Sequence, residues 1–246
     1  MSETPARKSA GGRGRLLGFL LDVVFPPVCA GCGRVGSILC ANCETRMAHV
    51  PEPICASCGR FKDMAIAQAV VELCHDCRAD PPSLTQMRAA LRYEEPTISI
   101  IHRLKYEGYF ALAEPLARIL AGGWPAWSTP PDLVVPIPLH PRRRRQRGFN
   151  QSELLARSLA QAKGIAVNSA ALQRTRNTVP QVGLGPEERK SNVQGAFSAK
   201  PETVRDRHVL LVDDVLTTGA TMSAAAEALL AAGASRVSAY CLARVS

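Results

Sequence analysis

Eight of the nine cysteines in this 246-residue chain stand in four C-x2-C pairs: Cys29/Cys32, Cys40/Cys43, Cys55/Cys58 and Cys74/Cys77. Two thiols three residues apart in a tight turn face the same way, and two such turns complete a tetrahedral zinc site. Outside an oxidising compartment, such spacing signals metal rather than disulfides. Four thiolates leave no open position, so the sites are structural. The first and third pairs read CAGCGR and CASCGR, while the second and fourth, CANC and CHDC, lack the glycine. This is an internal repeat, read as two ribbons in series. Site one takes Cys29, Cys32, Cys40 and Cys43; site two takes Cys55, Cys58, Cys74 and Cys77. Crossed pairing stays open, because the seven residues between Cys32 and Cys40 make a tight ribbon. A ligand role for His49 or His75 is also open, although the cysteine sets are complete without them. A segment this short builds little core. Zinc, at about 10–16 kcal/mol per structural site, is what folds it.

The rest of the composition is that of an ordinary globular chain, 46% hydrophobic and 21% charged, which excludes collagen-like and wholly disordered classes. The apolar run Leu16–Phe25 contains Asp22. It is well short of the roughly 20 residues of a spanning helix and lacks a signal-peptide cleavage site, so it reads as a packed amphipathic helix in a cytoplasmic protein. Residues 1–15, with four basic groups and one acid, form a disordered basic tail of charge +3. Residues 16–80, the helix and double ribbon, carry −2, and residues 81–246 carry +8. Eight thiolates with two Zn²⁺ add −4 and bring the formal +9 to about +5. A phosphate-bearing partner is therefore sought in the C-terminal part, where arginine, 24 of the 30 basic residues, suits bidentate phosphate contacts.

From residue 81 the pattern is one of alternating strands and helices. Strands are expected at Ala89–Tyr93, 132–138, Ala170–Gln173, Val209–Val212 and Val237–Leu242. Helices are expected at Thr97–Tyr106, Phe110–Ala121, Asn150–Lys163 and Ala220–Ala232. A basic loop covers His140–Gly148, and a polar stretch covers Thr175–Ser191. This is an α/β fold with a mostly parallel sheet, whose ligands sit at the carboxyl ends of the strands. One such end reads VLLVDDVLTTGAT, Val209–Thr221. Asp213 and Asp214 emerge at the strand tip, and Thr217, Thr218, Gly219, Ala220 and Thr221 turn into a helix. That turn aims backbone N–H groups and hydroxyls at an anion. Two carboxylates beside it accept hydrogen bonds from vicinal hydroxyls, so the pair describes a ribose 5-phosphate.

The same segment resembles the phosphoribosyl diphosphate (PRPP) signature of type I phosphoribosyltransferases. The chain from Phe25 to Arg244 resembles the ComF (ComFC-type) competence proteins, which join a zinc ribbon to a phosphoribosyltransferase-like domain. The likeness includes LKYEG (Leu104–Gly108), VVPIPLHPRRRRQRGFNQS (Val134–Ser152), PQVGL (Pro180–Leu184) and ERKSNVQGAF (Glu188–Phe197). The resemblance implies that Asp213 and Asp214 hold the ribose hydroxyls and Thr217–Thr221 the 5-phosphate. Pro138, Leu139 and His140 then stand in the pyrophosphate loop. The segment around Arg174, Arg176, Gln181 and Arg189 forms a loop closing over the reacting centre, with Arg189 as a catalytic residue. Mg²⁺ arrives with PRPP, held mainly by PRPP oxygens. The superfamily reaction passes through an oxocarbenium-like ribosyl cation, which carboxylates and diphosphate stabilise without a side-chain nucleophile. The likeness also suggests site-facing roles for His102, Lys105 and Tyr106. No separate hood for a nucleobase is evident, so the acceptor stays open.

Two functions follow. In the first, the protein handles incoming single-stranded DNA in natural transformation, with an inner-membrane helicase or channel as partner and PRPP as ligand. It is then cytoplasmic, or peripheral at the inner membrane. In the second, it is a phosphoribosyltransferase of nucleotide salvage or modification with no DNA role. The run Arg142, Arg143, Arg144, Arg145 and Arg147 serves diphosphate or a nucleic-acid strand, or is a solvated face. Aromatic residues are 5% of the chain, and Phe149 is the one ring close to the run in sequence, which leaves few platforms for base stacking. Cys241 falls in a buried-strand pattern and reads as core.

Overall fold

The computed structural model describes residues 26–61, 73–178 and 186–245, without the side chains of residues 186, 187, 189 and 190. The expected helix at Leu16–Phe25 and the basic tail lie outside the described residues.

Each ribbon opens with the same knuckle. In the first, Cys29 N–H donates to Arg34 O at 2.8 Å and Gly33 N–H to Cys29 O at 2.9 Å. In the second, Cys55 N–H donates to Arg60 O at 2.7 Å and Gly59 N–H to Cys55 O at 3.0 Å. The turn needs a positive φ at its fifth residue, which Gly33 (+74°) and Gly59 (+70°) supply. One antiparallel bridge closes each knuckle, Val28 with Val35 and Ile54 with Phe61. The plain knuckles open short helices, α1 (Ala41–Thr45) and α2 (His75–Ala79), with Cys40 and Cys74 at the residue before each.

The larger part is a five-stranded parallel sheet in the order β1-β7-β6-β2-β3. Its strands are β1 (Gln86–Arg92), β2 (Leu133–Pro136), β3 (Ala166–Val167), β6 (His208–Leu216) and β7 (Arg236–Arg244). Helices cover both faces. Along central β6 the side chains alternate. Leu210 and Val212 pack with α3 (Thr97–Tyr106), α4 (Ala113–Gly122) and α6 (Gln151–Lys163), while Val209 and Leu211 share a core with α9 (Ala220–Ala231). A central strand buried on both faces needs the continuous apolar run that the sequence supplies. The expected mostly parallel α/β fold, preceded by a small four-cysteine zinc-ribbon region, is the one observed. Cys241 is fully buried in β7.

Three expectations are refined. The basic loop is a helix, α5 (Pro141–Arg147), with Pro141 in its first turn, His140 Nδ1 accepting from Arg142 N–H, and Gly148 left-handed at its end. The strand near Ala170–Gln173, β4 (Leu172–Arg174), stays out of the main sheet and pairs antiparallel with β5 (Phe197–Ala199). Part of the polar stretch is helical, as α7 (Pro186–Val193). A last short helix, α8 (Pro201–Val204), leads into β6. Among the described residues no helix is long and apolar enough to cross a membrane.

Candidate functional site

The carboxyl ends of β2 and β6 open into a cavity of about 530 Å³. Asp213 and Asp214 stand on its wall, near the carboxyl end of β6, which runs two residues further to the buried Leu216. Asp213 Oδ1 accepts from Ser152 Oγ at 2.6 Å and from Asp214 N–H at 2.9 Å. Ser152 is positioned by Asn150, a buried residue whose Nδ2 donates to Ile137 O at 3.0 Å while its Oδ1 accepts from Ser152 N–H at 3.2 Å. One side chain thus caps α6 and ties it to the end of β2. Asp214 Oδ1 pairs with Lys105 Nζ at 2.9 Å, the two side chains being 4% and 21% exposed. Asp214 Oδ2 is buried with no hydrogen-bond partner among the described residues.

Two carboxylates this close cannot both ionise freely. Burial, and next the charge of Asp214, push Asp213 up to about 7, against the pull of Ser152 and Lys105. For Lys105, burial favours the neutral amine, but Asp214 outweighs it and holds the ammonium above its ordinary value.

Beyond Leu216 the chain turns through Thr217, Thr218 and Gly219 into α9. Gly219 takes a φ of +86° at the helix start and, as the N-cap residue, brings no capping side chain. Its N–H groups therefore lack intrahelical acceptors. Thr217, Gly219 and Thr221 line the cavity. Thr218 is exposed and accepts from Ala220 N–H at 3.4 Å, and neither of these two borders the cavity.

Folding the arginine run into α5 sorts it. Arg143 and Arg147, one turn apart, line the cavity with Leu139. Arg142, Arg144 and Arg145 are exposed, and Arg144 pairs with Glu153 at 3.0 Å. Pro138 and His140 do not border the cavity; His140 caps α5 instead. Across the opening, Arg174 at the end of β4 is buried, with its guanidinium 5.4 Å over the Phe197 ring. Arg174 Nη2 donates to Thr178 Oγ1, and Arg143 Nη2 to Thr178 O at 3.1 Å. Burial, and after it the charge of Arg143, push Arg174 below its ordinary value. The two guanidiniums form a cationic pair facing the two acids. Arg176 is turned away, donating to Asn192 O at 3.1 Å. Gln181 lies outside the described residues, as does the side chain of Arg189 in α7.

The eight paired cysteines converge as two sets, Cys29/Cys32/Cys40/Cys43 and Cys55/Cys58/Cys74/Cys77, with all sulfurs of a set within 4.8 Å of one another. Cys32 and Cys40 Sγ are 3.8 Å apart, and Cys58 and Cys74 Sγ 3.7 Å. Four sulfurs at about 2.3 Å from a tetrahedral zinc lie about 3.8 Å apart, so both sets fit structural zinc in the serial pairing. Neither set includes a histidine, and His75 is largely exposed. Backbone N–H groups of Cys40 and Cys74 donate to Cys29 and Cys55 Sγ, each at 3.3 Å. Burial raises the Cys29 thiol, but the N–H donors of Cys40, Cys32 and Gly31 outweigh it and bring it down to about 6. Cys55 reaches the same value through Cys74, Cys58 and Ser57. Burial, with the neighbouring sulfurs, pushes Cys43 up to about 12.

Comparison with known proteins agrees with this two-part build. The double zinc ribbon domain matches residues 20–82, and the phosphoribosyl transferase domain matches residues 147–246. DNA utilization protein YhgH of Salmonella typhi is 36% identical over 180 residues, covering 70% of this chain and 77% of that protein. Competence protein F of Haemophilus influenzae is 32% identical over 184 residues, covering 72% and 80%. The chain belongs to the ComF family. Competence protein ComFC of Bacillus subtilis is 28% identical over 190 residues, covering 72% and 74%. Glutamine phosphoribosylpyrophosphate amidotransferase of B. subtilis overlaps at a TM-score of 0.38 and 22% identity, over 54% of this chain and 26% of that one.

In this ComF chain the residues that motif reading missed are Ser152 as the partner of Asp213 and Thr178 as the shared acceptor of Arg143 and Arg174. Ser152 lies inside the quoted GFNQS run. Thr178 carries no local signal, because its partners come from α5 and β4.

Proposed function

We propose that the cavity binds PRPP, with the ribose hydroxyls on Asp213 and Asp214 and the 5-phosphate on Thr217–Thr221 at the start of α9. The diphosphate then lies toward Arg143 and Arg174. One observation carries the reading: paired carboxylates, a helix N-terminus opened by Gly219 and a guanidinium pair share one cavity of about 530 Å³. Each charge-assisted bond to phosphate contributes about 1.5–3 kcal/mol. Mg²⁺ is a hard ion that takes oxygen ligands, commonly one or two carboxylates together with substrate phosphates. The unpartnered Asp214 Oδ2 and Asp213 fit such an ion, which would supply charge neutralisation at the diphosphate. The chain's own contribution is to orient the ribose and hold the carboxylates that a ribosyl cation needs; Arg189 remains assigned to the closing segment. The relatives' names, competence protein and DNA utilization protein, together with the outward arginines of α5, support a role in DNA uptake that includes handling single-stranded DNA.

Calorimetric titration of the zinc-loaded protein with PRPP and Mg²⁺ tests the reading, with Asp213→Asn/Asp214→Asn as control. Heat of binding that disappears in the control is the expected result. A folded wild-type protein that takes up no PRPP would overturn it.

A further inference from the structure

The arginine run has ring partners that lie far from it in sequence. Among the described residues, the large aromatic side chains left exposed are Tyr106 (63%) and Phe110 (52%), the first against Arg147 at the end of α5 and the second against Phe149 just past it. Tyr106 closes α3, and Phe110 follows the turn after it. The guanidinium of Arg147 lies 4.9 Å over the Tyr106 ring, and His102 sits 4.8 Å from the same ring. Phe110 meets Phe149 edge to face at 4.6 Å. The expectation that Phe149 stands alone near the run is corrected by chain folding: α3 is brought against the end of α5.

We infer that Tyr106 and Phe110 form a stacking strip for the bases of a single nucleic-acid strand, whose phosphates run along the exposed Arg142 and Arg145 of α5. The inference rests on the single-stranded DNA part of the reading above, and it names the surface that does the holding. Exposed rings are costly in water unless something covers them. Every base offers a π-face worth about 1–3 kcal/mol per stack. The charge around the strip favours an anionic partner. α5 carries five arginines and no acid. The nearby Glu153 is engaged by Arg144 and Arg157, and Glu107 lies near His102 and Arg103 at 3.6 and 3.8 Å. A duplex hides its base faces, so the strip selects unpaired strands. Because Tyr106 and Arg147 also border the cavity, the strip runs up to its rim.

Fluorescence anisotropy tests this with a labelled thymidine oligomer of about 16 nucleotides, the upper span of one single-strand-binding fold, beside a duplex of equal length. The Tyr106→Ala/Phe110→Ala double variant should bind the single strand at least about tenfold more weakly, with an unchanged salt slope. Arg142→Gln/Arg145→Gln should instead flatten that slope by about 1.4, at about 0.7 per phosphate. Phe110→Ala alone, at a position outside the cavity, should lose affinity with an unchanged melting temperature, and Phe110→Trp should keep it. If wild-type binds the oligomer and the double variant stays within twofold of it, the strip is wrong while DNA handling stands. Equal affinity for the duplex sinks the strip in the same way. If wild-type binds no oligomer at any salt, the DNA reading falls too, and the PRPP titration is unaffected.

Discussion

The two ribbons are copies of one turn set down on different ground. Around the first, a Cβ on Gly33 would meet nothing within 4 Å, and the ribbon leans on α3. Cys29 and Cys43 share a core with Ile100, Ile101 and Leu104, while the half-buried Arg103 donates to Cys29 O at 3.4 Å. Around the second, a Cβ on Gly59 would stand 2.4 Å from Met87 O. Ser57 O accepts Met87 N–H at 2.7 Å, and Cys58 O accepts the buried Arg244 at 2.8 Å. Cys55, Cys58 and Cys77 then share a core with Met87, Leu216 and Met222, beside the turn at Gly219. A repeat thus keeps its internal hydrogen bonds, which its metal geometry requires, and diverges at the residues that touch its host. The first ribbon braces the helix that carries Lys105. The second braces the strand and turn that carry Asp213 and Gly219.

Metal removal is the coarsest way to break this symmetry. A Cys55→Ser/Cys58→Ser variant should lose one equivalent of zinc, counted by a colorimetric chelator, and at least about tenfold in PRPP affinity, or about 1.4 kcal/mol. Cys29→Ser/Cys32→Ser should lose the same zinc with a smaller effect on PRPP. Equal losses would mean that the ribbons do not divide the work. Glycine replacement comes next. Gly33→Ala should cost about 1–2 kcal/mol for its left-handed backbone. Gly59→Ala should cost about 2–5 kcal/mol, because the overlap with Met87 O adds overpacking. Urea unfolding of both variants reads the difference, and a larger loss at Gly33 would contradict the contact.

The arginine props should follow the same ranking more gently. Arg244→Ala removes a buried charged donor and should cost about 1.5–3 kcal/mol. The partly exposed Arg103 should cost less than about 1 kcal/mol. Thermal melts of the pair would show the gap. A change of pH acts without any substitution, at the strand that the second ribbon supports. On the proposed reading, Asp213, raised to about 7 by burial and then by Asp214, accepts ribose hydroxyls more strongly once it has lost its proton. PRPP affinity should therefore rise about tenfold per unit as pH climbs toward 7 and level off above it. Asp213→Asn should flatten that part of the profile relative to wild-type in parallel titrations, and an unaltered profile would detach Asp213 from the ligand.

Much of the architecture is legible in the sequence where the chemistry is local. C-x2-C spacing with a following glycine encodes the knuckle, and VLLVDDVL followed by TTGAT encodes a buried strand running into the turn that starts α9. Both come from residues within a few positions of each other. The α5 helix reads as loop because a charge run masks propensity, although Pro141 at its start and Gly148 at its end are helix punctuation. The strand β4 is legible as a strand, but its partner β5 is not. The Lys105–Asp214 pair, the Arg143–Thr178–Arg174 link and the meeting of Tyr106 with Arg147 depend on tertiary approach across many residues, which periodicity does not encode.

The parallel sheet has an outer strand, β1, whose far side would otherwise be a row of bare amides and carbonyls. The ribbons lie along it. Met87 and Arg92 N–H donate to Ser57 and Ala48 O, each at 2.7 Å, and Ala90 O accepts Val50 N–H at 3.2 Å. The thiolate clusters therefore also act as guards of solubility. Stripped of metal, a cell's pool of this protein would expose a pairing edge to its neighbours, and zinc starvation would register first as self-association.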